Sequence, residues 1–164
     1  QLQSEFIEQS GIISAMVGLL NAPKQTRLYQ RLESENRLTT EATGSNTDYS
    51  MNFVPVMDAR VLLNGYQSIL RNIYSIKPYY RRMRRFLKNF HPMAIRTRTL
   101  DPEHLMAFFR SVVIIGVLNK GRREYWKFLF WTLFNRRELF TDAMTYAVYG
   151  YHYRTVFGLG KSMK

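Results

Sequence analysis

Arg81, Arg82, Arg84, Arg85 and Lys88 put five cations on one short stretch of chain, "RRMRRFLK". Guanidinium groups at that density suit phosphate, either of a nucleic acid or of a lipid headgroup. They equally suit bidentate pairing with an acidic partner surface, and a solvated helix face carries the same pattern. Other chemistry is scarce. There is no cysteine, which excludes disulfides, thiolate nucleophiles and Cys-ligated zinc or iron–sulfur sites within these residues. His91, His104 and His152 show no metal-ligand spacing, and no H-E-x-x-H occurs. His152, in "GYHYR", reads as a structural histidine or a functional one. The carboxylates are few and form no acid–base pair. Neither a G-x-x-x-x-G-K-[ST] loop nor a G-x-S-x-G elbow is present. The sequence therefore assigns this chain no catalytic residue and no metal ligand.

The elements that must position the cations are mostly helices. Pro78 sits in a first turn and opens "YYRRMRRFLKNF", whose apolar face is Tyr79, Tyr80, Met83, Phe86, Leu87 and Phe90. Upstream, Asp58 caps a helix with the stripe Leu62, Leu63, Tyr66, Ile69, Leu70 and Ile73. Downstream, Asp101–Pro102 opens a helix stopped by Gly121. Two more helices, or one bent helix, follow before a tail marked by Gly158 and Gly160. Tyr66, Tyr74, Tyr79, Tyr80, Tyr125, Trp126, Trp131, Tyr146 and Tyr149 recur at helical spacing, as core aromatics or as stacking platforms for bases.

The N-terminal part differs. "SEFIEQSG" ends a helix at Gly11, and "GIISAMVGLLNA" then reads as a strand buried on both faces. "APKQT" is a loop, and "TRLYQRLESENRL" a helix with Leu28 and Leu32 inward. Helix, strand, loop, helix is half of an α/β repeat. Residues 39–50 are rich in polar and turn-forming types, and Pro55 keeps Val54 extended. The expected organisation is mainly α: a helix–strand–loop–helix unit over 1–38, a linker over 39–56, and a bundle-like domain of about five helices over 57–164.

Charge follows the same division. The chain carries a net +12, yet residues 1–50 hold six carboxylates against Lys24, Arg27, Arg31 and Arg37, whereas residues 78–98 hold seven basic residues and no acid. No basic region precedes the first apolar run, so no signal peptide is expected. The longest apolar stretch, "LMAFFRSVVIIGVL", contains Arg110 and falls short of a membrane span. A cytoplasmic protein, membrane-peripheral if its cations meet lipid, is the expectation.

Two stretches in combination carry a family resemblance. "AMVGLLNAPKQTRLYQRLESENRL" and "NFVPVMDARVLLNGYQSILRNIYSIKPYYRRMRRFL" resemble the cobalamin-binding radical S-adenosylmethionine (SAM) proteins, a group that includes hopanoid-lipid methyltransferases. Those proteins carry A-L-P-G-T-x-L-Y-x-R-L-x-x-E-G-R-L after the last barrel strand. They then carry N-x-x-P and G-Y-x-x-x-L-x-x-I-Y-x-P-x-x-Y-x-R, leading into a helical domain of unknown function. The matching residues include Leu28, Tyr29, Arg31, Leu32, Glu35, Arg37 and Leu38, then Gly65, Tyr66, Ile73, Tyr74, Tyr79 and Arg81. The departures are Pro23 one position early, Lys24–Gln25 for Pro-Gly, Asn36 for Gly, and Ile76–Lys77 in the turn.

The resemblance implies that the lone strand is the final strand of a (β/α) barrel and that residues 4–10 are its last crossover helix. The C-x-x-x-C-x-x-C cluster motif and any cobalamin domain would lie upstream in the same polypeptide. The cofactors of such a parent are an iron–sulfur cluster, SAM and cobalamin, none of them held by this chain alone. The strand would lay Met16, Val17, Gly18, Leu19 and Asn21 against the adenosyl group. Arg81, Arg82, Arg84, Arg85 and Lys88 would form a partner or substrate surface. On this reading the chain is an accessory region without catalysis of its own. The alternative is a basic helical module for nucleic acid or an anionic membrane. An unpaired strand edge also predicts that residues 12–20 are sequestered against helices or paired with a second copy.

Overall fold

A computed structural model describes residues 2–39, 50–92 and 102–159. Seven α-helices account for most of them: α1 Leu2–Ser10, α2 Arg27–Ser34, α3 Ala59–Tyr74, α4 Ile76–Asn89, α5 Pro102–Ser111, α6 Arg122–Asn135 and α7 Phe140–Val156. The protein is mainly helical, and α3 to α7 supply the five helices expected after residue 57. Residues 40–49 of the expected linker, most of the connector after His91, and Gly160 lie outside the described residues. In space the chain forms two compact units, one of residues 1–14 with 72–164 and one of residues 15–71.

The expected strand over 11–22 is not a strand. The run takes no regular secondary structure and bends at Ile13; among the described residues no β ladder forms, and an isolated antiparallel bridge joins Leu38 to Phe53. A ladder needs a neighbouring strand, and the described residues provide none. Side chains take carbonyls of the run instead: Arg82 those of Ile12 and Ile13 in the first unit, Tyr66 that of Val17 in the second.

In the larger unit, α4 packs on α6 and α7. Its buried face is Tyr79, Tyr80, Met83 and Leu87, meeting Phe128, Leu129, Ala143 and Ala147 in the core. Phe86 and Phe90 stack at 4.9 Å at the edge. The close approach of α7 to α4 requires Gly150, because a Cβ there would lie 2.2 Å from the Tyr79 ring. The Tyr79 hydroxyl donates to the Tyr146 carbonyl at 2.8 Å across the same crossing.

The single helix expected from residue 102 to Gly121 is instead two forms. It is α-helical to Ser111 and then a π-helix over Val112–Leu118. Gly116 lies against the Tyr125 and Trp126 rings, and the Trp126 indole N–H donates to the Gly116 carbonyl at 2.9 Å. A widened turn frees a carbonyl that a side chain must then satisfy. Among the described residues no helix is long and apolar enough to cross a membrane.

In the smaller unit, Thr26 caps α2 by accepting from the Tyr29 N–H at 3.2 Å, and Leu32 is buried. Asp58 caps α3 through the N–H groups of Arg60 and Val61, as its position predicts. Tyr66 and Leu70, members of the predicted stripe, are buried.

Candidate functional site

Two constellations stand out, one in each unit. The first holds the irregular run from residue 15 onward. Asn52, buried, clasps Ala22 from both sides: its Oδ1 accepts the Ala22 N–H and its Nδ2 donates to the Ala22 carbonyl, each at 2.8 Å. Asn21 answers by accepting the Asn52 N–H at 3.0 Å. Two amide side chains thus do the work of a strand pairing, and Tyr66 adds its hydroxyl to the Val17 carbonyl at 3.1 Å. Arg37 donates through Nε and Nη2 to the Val54 carbonyl at 3.0 and 2.7 Å, which ties the end of α2 to the segment carrying Asn52.

This anchoring decides what the five expected cofactor residues present. Met16 and Gly18 are exposed, while Val17, Leu19 and Asn21 are half-buried. Asn21 spends its side chain on the lock, and Val17 spends its carbonyl on Tyr66. Asn52 went unassigned by sequence reasoning. Its signal was the N-x-x-P spacing to Pro55, since an asparagine ahead of an extended prolyl segment has a free amide to pair with backbone.

The second constellation is the basic helix. Arg82 is not at the surface: it is buried, and its Nε and Nη2 donate to the carbonyls of Ile12 and Ile13 at 3.0 and 3.4 Å. Arg85 donates to the Glu8 carbonyl at 2.6 Å, and Arg81 pairs with the Glu8 carboxylate. Three of the five expected surface cations therefore grip residues 8–13 of the same chain. Arg84 is half-buried, with Nε and Nη2 lacking a hydrogen-bond partner among the described residues, and Lys88 is exposed.

Behind them lies a second buried guanidinium, Arg154, which sequence reasoning missed because α7 shows no charged periodicity. Arg82 and Arg154 sit 5.6 and 5.9 Å from the Tyr79 ring centre. Burial lowers the pKa of both arginines, while the tyrosines around them oppose that shift. Burial also drives the Tyr79 and Tyr80 hydroxyls well above the ordinary tyrosine value, with the nearby Arg154 pulling the other way. The aromatics here are core, as Tyr74, Tyr125 and Phe128 also are. His91 and His152 are exposed. Among the described residues no cluster of acids and histidines gathers to hold a metal ion.

A family model described as "Domain of unknown function (DUF4070)" matches residues 26–162. The chain belongs to that family. This DUF4070 domain includes α2 to α7, whereas the irregular run and α1 precede the matched residues. The chain is also 27% identical over 154 residues to a protein named "Uncharacterized methyltransferase sll1242" from Synechocystis sp.. That likeness covers 90% of the chain and 28% of the relative, so the chain spans little more than a quarter of that protein's length. No solved structure matches.

Proposed function

We propose that the chain is the barrel end and accessory domain of a methyltransferase-like radical SAM enzyme of the cobalamin-binding type, without catalysis of its own. The observation that carries this reading is the grip of α4 on the chain just ahead of residue 15. Arg82 and Arg85 fix three backbone carbonyls, those of Glu8, Ile12 and Ile13. Backbone carbonyls are held this way where the path of the chain matters, and Met16 to Asn21 follow at once. The methyltransferase-named relative and the family match support the same reading.

When bound, SAM supplies a radical or a methyl group in enzymes of this type. Met16 and Gly18, both exposed, would contact it, and Tyr66 and Asn52 would hold the run in place. The cluster does not fit this chain, which has no cysteine, so its ligands would come from elsewhere in the polypeptide. Upstream barrel and cobalamin-binding parts are the implied partners. With Arg81, Arg82 and Arg85 already engaged, α4 retains too few free guanidiniums to favour a nucleic-acid surface.

The test is the full-length protein, purified anaerobically and reduced in the presence of SAM. Release of 5′-deoxyadenosine is expected, and Arg82→Lys should cut it severalfold. In the isolated chain the same substitution should speed hydrogen exchange in residues 8–20 while circular dichroism stays unchanged. A full-length protein that binds no iron–sulfur cluster would sink the reading.

A further inference from the structure

We infer that the face built from α5, the π-helix and α6 is a docking surface for an anionic lipid bilayer. Phe109, Val113 and Val117 are exposed and follow one another at helical spacing along α5 and the π-helix. Phe130 and Phe134 do the same on α6, with Phe134 83% exposed. Trp126 connects the two rows, bonded to the Gly116 carbonyl beside Val117 and stacked on Phe130 at 5.7 Å. Large apolar groups presented to water on two adjoining helices mark an interaction surface.

Its charge identifies the partner. Arg110 on α5, Lys120 in the turn before α6, and Arg122, Arg123 and Lys127 on α6 are all exposed. The acid among them, Glu124, already pairs with Lys127 at 3.3 Å. Cations interleave with the rings: Arg110 follows Phe109 directly, and Lys127 precedes Phe130 by three residues. Lysine is among the residues depleted at protein interfaces, and Lys127 stands among these rings. A bilayer interface accepts this mixture, because rings and aliphatic groups enter the acyl boundary while the cations remain among anionic headgroups. A second copy of the chain would bring like charge against like. None of these residues belongs to α4.

Vesicle flotation of the 164-residue chain tests the assignment. Vesicles of phosphatidylcholine with about one-third phosphatidylglycerol should carry the chain, and phosphatidylcholine alone should not. The pair Phe130→Ser and Phe134→Ser should weaken binding at least about tenfold, because the apolar contribution scales with buried side-chain area. Both residues are exposed, so circular dichroism should not change. Arg60→Glu, in the exposed first turn of α3, should leave binding unchanged. Absence of flotation would overturn the proposal, as would flotation indifferent to Phe130 and Phe134. Protection of these residues in the full-length protein without lipid would assign the face to a protein partner and overturn it too.

Discussion

Gln25 and Asn36 hold left-handed backbone at φ +69° and +54°. Both stand where the related pattern has glycine, at the loop before α2 and the turn after it. Each turn therefore places a residue with a side chain where glycine would sit without strain. Asparagine tolerates this region through local hydrogen bonding, and glutamine has no such help. Gln25→Gly should raise stability by about 1 kcal/mol and Asn36→Gly by less, since a left-handed L-residue costs roughly 1–2 kcal/mol and glycine returns part of it as unfolded-state entropy. Urea denaturation of the two variants measures the difference. If Gln25→Gly destabilises the chain, the loop conformation described for residue 25 is wrong.

At the scale of elements, helix contacts are set by what is missing as much as by what is present. Gly150 and Gly116 are the places where α7 meets α4 and where the π-helix meets α6. In an ordinary helix interior, Gly→Ala gains roughly 1 kcal/mol. At Gly150 the new methyl would overlap Tyr79, an immobile buried ring, so Gly150→Ala should instead cost about 3 kcal/mol. A melting temperature that rises on this substitution would refute the close crossing. Arg136 works across elements in the opposite way. It reaches from the end of α6 to the carbonyls of Lys88 and Phe90 at 2.9 and 2.6 Å, closing the C-terminus of α4 with charge of the sign its dipole favours.

For the molecule as a whole, the buried tyrosines set the alkaline limit. Tyr79 and Tyr80 ionise far above the ordinary value of 10.0 when folded, because burial penalises the phenolate. The unfolded chain loses those protons near pH 10, so their contribution is full below that pH and declines above it. The expected slope is about 1.4 kcal/mol per pH unit for each tyrosine. Stability measured at pH 9 and 11 should fall accordingly. Tyr80→Phe should lessen the fall, because it removes one of the two buried phenols. An unchanged slope would mean that Tyr80 is not buried in solution.

The sequence by itself determined the helices after residue 57, their apolar faces, the Thr26 and Asp58 neighbourhoods and the stop at Gly11. Each is a local matter of periodicity or capping, read within a few residues. It also determined that the helical pattern stops at Gly11 and does not resume before Thr26. Whether the run between them became a strand was a tertiary decision. Pairing depends on what lies beside it, and here Arg82, Tyr66 and Asn52 take the place of neighbouring strands. The same holds for the α4 arginines. Composition showed five cations on one helix but not which were turned inward, because that depends on where residues 8–13 run, some seventy positions away in the chain.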